Sequence, residues 1–134
     1  MQIQQSAEWR GLRHPWWTLR TSPAHGTPQR SSRRAANAFF AHPETSVEGW
    51  ETAAAAQRRV VEATADLVVP AAHDGDVLVV GHGATGTLLW CHLAGVEISR
   101  EHDQCGSDAA PGGGNVWSYD LDAQAMLHPW RPID

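Results

Sequence analysis

VLVVGHGATGTLL, residues 77–89, joins four apolar residues, three of them valines, to Gly81-His82-Gly83 and then to a run of helix formers. A continuous apolar run of this kind reads as a strand buried on both faces of a mainly parallel sheet. Residues 84–94 read as the helix that follows, with Gly95 as its left-handed stop. A histidine held between two glycines where a strand gives way to a helix is placed for chemistry on an anion. The helix start offers N–H groups without helical partners and a positive dipole end. The glycines let a ligand approach the backbone.

Upstream lies the clearest helix signal. Good helix formers run through residues 53–69, with Thr45 or Ser46 as cap and Glu48 and Glu51 in or near the first turn. Trp50, Ala54, Gln57, Val61, Ala65 and Val68 fall near one stripe, which predicts one buried face. Pro70 is expected to end that helix. A shorter helical piece, residues 35–40, should stop before Pro43. Downstream, residues 96–114 look irregular. Residues 115–121 and 125–128 alternate as two strands of a hairpin turned by Asp122-Ala123-Gln124.

At 134 residues the chain makes one domain, large enough for a real core. It has neither an apolar stretch long enough to span a bilayer nor a signal-like h-region. Two cysteines, Cys91 and Cys105, make no disulfide framework, so a reduced, cytoplasmic setting is expected. Charge is divided sharply. Residues 1–34 hold six of the ten arginines and one acid, Glu8, and the remaining hundred hold four arginines and fourteen acids. A basic arm can serve nucleic acid. Here the arginines lack helical spacing and are interrupted by Pro15, Pro23, Pro28 and Trp16-Trp17. Residues 1–34 therefore read as a poorly ordered extension, with no nucleic-acid or membrane partner.

Two other chemistries compete for these residues. Gly81-x-Gly83-x-x-Gly86 fits the dinucleotide-binding pattern literally, but that pattern needs a second strand ending in an acid about 20 positions on. Glu101 and Asp103 fit by count only, since the residues before them make a weak strand. Cys91, His92, His102 and Cys105 resemble a metal set in composition but lack a paired-ligand spacing, so no metal is expected. His25, His42 and His73 read as loop residues. Trp50, Trp90 and Trp117 read as packing residues.

The histidine segment resembles the second-histidine motif of the phosphoglycerate-mutase-like histidine phosphatase superfamily. Glu48-Gly49-Trp50-Glu51-Thr52, followed by Gln57-Arg58-Arg59-Val60, resembles that family's Gly-Glu-Ser-type helix start. His102-Asp103-Gln104, Gly112-Gly113-Gly114-Asn115 and the ending from Leu127 to Asp134 look like the C-terminal part of one bacterial branch. The resemblance covers residues 35–134. It implies an α/β fold, a partial three-layer α/β/α sandwich lacking the N-terminal strand and the first catalytic motif, with residues 1–34 foreign to the family. It also implies a phosphatase or phosphomutase of small phosphorylated substrates, needing no cofactor. His82 would be the second, catalytic histidine of the phosphate pocket, and Gly83 would hold the oxyanion through its N–H. In the family a nucleophilic histidine sits in an Arg-His-Gly motif at the end of the first strand. The candidate here, Arg13-His14-Pro15, has no apolar strand ahead of it. The chain is therefore expected to be weak or inactive. The alternative is a non-catalytic fragment that binds phosphate-like anions or another chain, and exposed sheet edges would favour self-association.

Overall fold

A computed structural model describes residues 29–72, 75–104, 109–110 and 114–133, with backbone alone for 29–32. The order of elements is α1 (Gln29–Ala41), α2 (Ala53–Ala71), α3 (Gly83–Ala94), a 3-10 turn (Arg100–His102), β1 (Asn115–Asp120) and β2 (Ala125–Pro132). The described residues thus combine helices with a small antiparallel sheet, which is compatible with the α/β class.

α1 carries Ala35, Phe39 and Phe40 to the interior, and it ends just ahead of Pro43. Phe39 meets Phe40 edge-on at 5.2 Å between ring centroids and Trp50 at 6.0 Å. With Ala53, Ala56 and Leu88 these phenylalanines make the core, flanked by Val47, Trp50, Ala84 and Ile98. The small side chains of Ala53 and Ala56 leave room for the two phenyl rings in a close-packed interior.

α2 begins later than its charge pattern suggested. Thr52 is the cap, its Oγ1 accepting from the Ala55 N–H at 3.2 Å. Ser46 instead closes the preceding loop by donating to the Trp50 carbonyl. Glu48 and Gly49 both lie at positive φ in that loop, a geometry incompatible with a helical first turn. The buried residues of α2 are Ala53, Ala54, Ala56 and Val60; of the expected stripe Ala54 is buried, Gln57, Val61 and Val68 are half-buried and Ala65 is exposed. Moving the helix start to Ala53 puts Trp50 outside the helix, so it no longer anchors the stripe. Pro70 lies in the last turn instead of ending the helix.

Residues 77–80 are the main departure. They are not strand: Leu78 is 50 %, Val79 43 % and Val80 77 % exposed. A buried parallel strand needs neighbours for its N–H and C=O groups on both edges. Among the described residues none lies alongside, so the segment stays irregular and uncovered. The only described sheet is the hairpin, paired from Asn115↔Pro132 to Asp120↔Ala125 with irregularities on either side of Ser118. Its turn is held by Asp120 Oδ1, which accepts from the N–H groups of Asp122 and Ala123. β2 runs four residues further than the alternation implied. Its extension brings Trp130 into the interior, where the indole N–H donates to the His102 carbonyl at 3.0 Å.

Candidate functional site

α3 starts at Gly83, and His82 is its cap residue with extended backbone (φ −77°, ψ 149°). The His82 side chain makes no capping hydrogen bond and is exposed. Its carbonyl is well occupied, accepting from the Gly86 N–H at 2.9 Å and from Thr85 Oγ1 at 2.8 Å. The backbone of the first turn is therefore fixed while the imidazole stays open to solvent. Gly81 is exposed beside it. Helix starts of this kind receive anions, because their N–H groups and dipole converge on one point.

A polar frame fastens the loop after α3 over this first turn. The Thr87 hydroxyl lies 3.0 Å from both the Gly83 carbonyl and Asp103 Oδ1, sharing one proton between two acceptors. Asp103 is buried, also accepts from the Gln104 N–H at 2.8 Å and faces Arg100 Nε at 3.7 Å. The Gln104 side chain lies on Gly83 so closely that a Cβ there would overlap Nε2. Asn115 holds the far end of that glutamine, its Nδ2 donating to Gln104 Oε1 at 2.9 Å. On the other flank, Arg59 grips Glu51 through Nη2 at 2.8 Å and Nε at 3.2 Å, tying the loop before α2 to that helix. Gln57 Nε2 donates to the Leu88 carbonyl and joins α2 to α3.

The glycine pattern has a packing explanation. Gly83 admits Gln104. A Cβ on Gly86 would come within 2.9 Å of the Trp130 ring, which itself meets Trp117 edge-on. The Gln104 side chain occupies the place where a dinucleotide pattern would leave its second glycine to the pyrophosphate, and no second parallel strand follows among the described residues.

The other sequence candidates separate. Cys91 faces the core, and burial pushes its thiol pKa up from the ordinary value. His92 is exposed on the same helix, and His102 stacks on Trp90 at 4.8 Å. Among the described residues no three His, Cys, Asp or Glu side chains gather as a metal-binding group. His42 is exposed after α1. Trp50 and Trp117 pack as expected, and Trp90 has a buried indole N–H without an acceptor among the described residues. Arg13, His14, His25, His73 and Cys105 lie outside the described residues. Sequence reasoning gave no role to Thr87, Gln104 or Asn115, and considered Asp103 only as the acid that a dinucleotide pattern needs. The quoted His102-Asp103-Gln104 stretch was a signal for them, but its contacts with α3 are long-range.

A fixed helix start with an exposed histidine at its cap is the geometry in which helical N–H groups and an imidazole can meet one anion. The model of the histidine phosphatase superfamily (branch 1) matches residues 4–110, well over half of the sequence, and the chain belongs to that superfamily. The match takes in most of the arginine-rich segment and stops short of the β1–β2 hairpin. No curated protein matches the chain. No helix among the described residues is long and apolar enough to cross a membrane.

Proposed function

We propose that this chain is a phosphoryl-transfer protein of the histidine-phosphatase type, with His82 and Gly83 in its phosphate pocket. One observation carries the reading: an exposed histidine, at the cap of a helix whose first turn is otherwise secured, lies within the family match. A phosphoryl group at this point would meet the N–H of Gly83 and the imidazole. Protonated, that ring would offset charge developing on the phosphoryl oxygens. The ligand is a small phosphorylated molecule, handled without cofactor or metal in a reduced cytoplasmic setting.

We further propose that turnover by this chain is weak or absent, which leaves an anion-binding remnant as the second reading. What supports this is Arg13-His14-Pro15, which has proline where the family's nucleophile motif has glycine and no apolar run of sequence before it. In the corresponding full three-layer arrangement, residues 77–80 would take a strand position between neighbours. Their exposure favours self-association.

Hydrolysis of a generic aryl phosphate tests both statements. Turnover abolished in His82→Ala would establish the pocket and reject the remnant, and His14→Ala would then test the nucleophile. No turnover, with phosphate binding lost in His82→Ala, is the outcome expected of a remnant. Phosphate binding unchanged in His82→Ala would sink the pocket.

A further inference from the structure

We infer that Ser118 and His128 form a second reactive site, a nucleophile–base dyad on the β1–β2 hairpin that takes acyl groups from activated carboxylic esters. It lies outside the His82 pocket and does not depend on the reading of that pocket.

The two residues are cross-strand partners in the hairpin register. Ser118 Oγ lies 2.9 Å from His128 Nε2, and His128 Nδ1 lies 2.8 Å from the Pro129 carbonyl oxygen. The second contact fixes the tautomer. A carbonyl only accepts, so Nδ1 carries the proton and Nε2 of the neutral ring keeps its lone pair. The Ser118 hydroxyl therefore donates to Nε2. A hydroxyl whose proton rests on an imidazole, with that imidazole oriented by a third group, is the arrangement that activates a serine. Irregularities on both sides of Ser118 break the alternation of β1, and bulges of this kind re-aim a side chain. Both residues are half-buried, so the pair is sheltered and still reachable. Along β2 the alternation puts half-buried Met126 on the same face as His128, an apolar neighbour for an acyl group.

The reaction needs only water besides the ester. Ser118 Oγ bonds to the ester carbonyl carbon while its proton passes to His128 Nε2. The bond from that carbon to the leaving oxygen then breaks, and Nε2 gives the proton to that oxygen. Water removes the acyl group from Ser118 by the same route, releasing the carboxylic acid.

Ser46 is the internal reference. It is exposed, and its hydroxyl donates to the Trp50 carbonyl, which cannot take the proton. We would label the full chain with a fluorophosphonate, whose P–F bond breaks as Oγ–P forms, and map the adducts by peptide mass spectrometry. Ser118 should label about a hundredfold faster than Ser46, the low end of what a positioned general base contributes. The comparison is made within one folded chain, and in urea the two rates should converge. His128→Asn keeps a side-chain donor near the Nδ1 position and lacks the base, so Ser118 should fall to the Ser46 rate. Aryl acetate cleavage should be faster in the wild-type chain than in Ser118→Ala, since attack by other side chains is common to both.

Equal labelling of Ser118 and Ser46 in the folded wild-type chain overturns the dyad. Fast labelling of Ser118 that persists in His128→Asn overturns it as well. Aryl acetate cleavage equal in the wild-type chain and Ser118→Ala overturns the assignment to carboxylic esters.

Discussion

Residues 77–80 and the β1–β2 hairpin make an instructive pair. VLVV is by composition the stronger strand former, and NVWSYD the weaker, yet only the second is a strand. β-propensity reports how well a side chain packs against neighbours across and along a sheet, so it acts only where a neighbour exists. The hairpin carries its own neighbour. Residues 121–124 return the chain at once, Asp120 secures the turn, and closing so short a loop costs little entropy. Residues 77–80 have no such local partner, and among the described residues no distant one reaches them. One apolar run is folded by a turn, and the other waits for a sheet.

The largest expected effect lies on the paired side. Trp130 is almost wholly buried and supplies the donor for the His102 carbonyl. Trp130→Ala should destabilise the fold by about 3–5 kcal/mol in urea denaturation. Trp130→Phe should cost less, since it keeps most of the packing and loses mainly one hydrogen bond, worth about 1 kcal/mol. Equal losses for the two would mean that the bond to the loop, more than the ring, holds the hairpin in place. Gly86→Ala probes the same seam from the helix. The added methyl meets the Trp130 ring at 2.9 Å, an overpacking cost of about 1–3 kcal/mol. A gain of about 1 kcal/mol in helix propensity offsets part of it. A net loss near 1 kcal/mol should appear, with a changed near-ultraviolet circular dichroism signal from the Trp117–Trp130 pair. A stabilised variant would show that the ring moves aside freely.

Cys91 separates the interior of α3 from its open start. Burial raises the thiol pKa in the folded chain above the ordinary value of 9.0, so the unfolded chain ionises first as pH rises. The unfolded state then binds fewer protons than the native one, and stability should fall from about pH 9 upward until the folded thiol itself ionises. Cys91→Ala should flatten that alkaline slope. Alkylation by iodoacetamide at pH 8, followed by peptide mass mapping, should be at least tenfold slower at Cys91 in the folded chain than in urea. Comparable rates would mean that this face of α3 opens readily.

What the sequence disclosed follows the same division between local and distant partners. The α3 helix, its Gly95 stop and the hairpin were legible because caps, turns and alternation act within a few residues. His82 was legible because its glycines and its helix are neighbours in the chain. The cap of α2 was misplaced because Glu48 and Glu51 imitate a first turn, while positive φ at Glu48 and Gly49 keeps that loop from being one. Thr87 to Asp103 spans sixteen residues, and Gln104 to Asn115 crosses an irregular loop. Neither has a period that a sequence window could reveal. The strand at residues 77–80 was expected from its own residues, although a strand is a property of at least two segments.

The smallest predicted change in stability tests that last point most directly. Val79→Ser with Val80→Ser exchanges two exposed branched side chains for polar ones at positions that pair with nothing among the described residues. Exposed substitutions of this kind usually stay within about 0.5 kcal/mol. The double variant should therefore denature at the same urea concentration as the parent. If uncovered apolar side chains draw copies together, sedimentation velocity should show the parent associating with rising concentration and the variant doing so less. A loss above about 2 kcal/mol would have a different meaning. It would require residues 77–80 to be buried in solution, and the contrast with the hairpin would then be one of where the partner comes from, not of whether there is one.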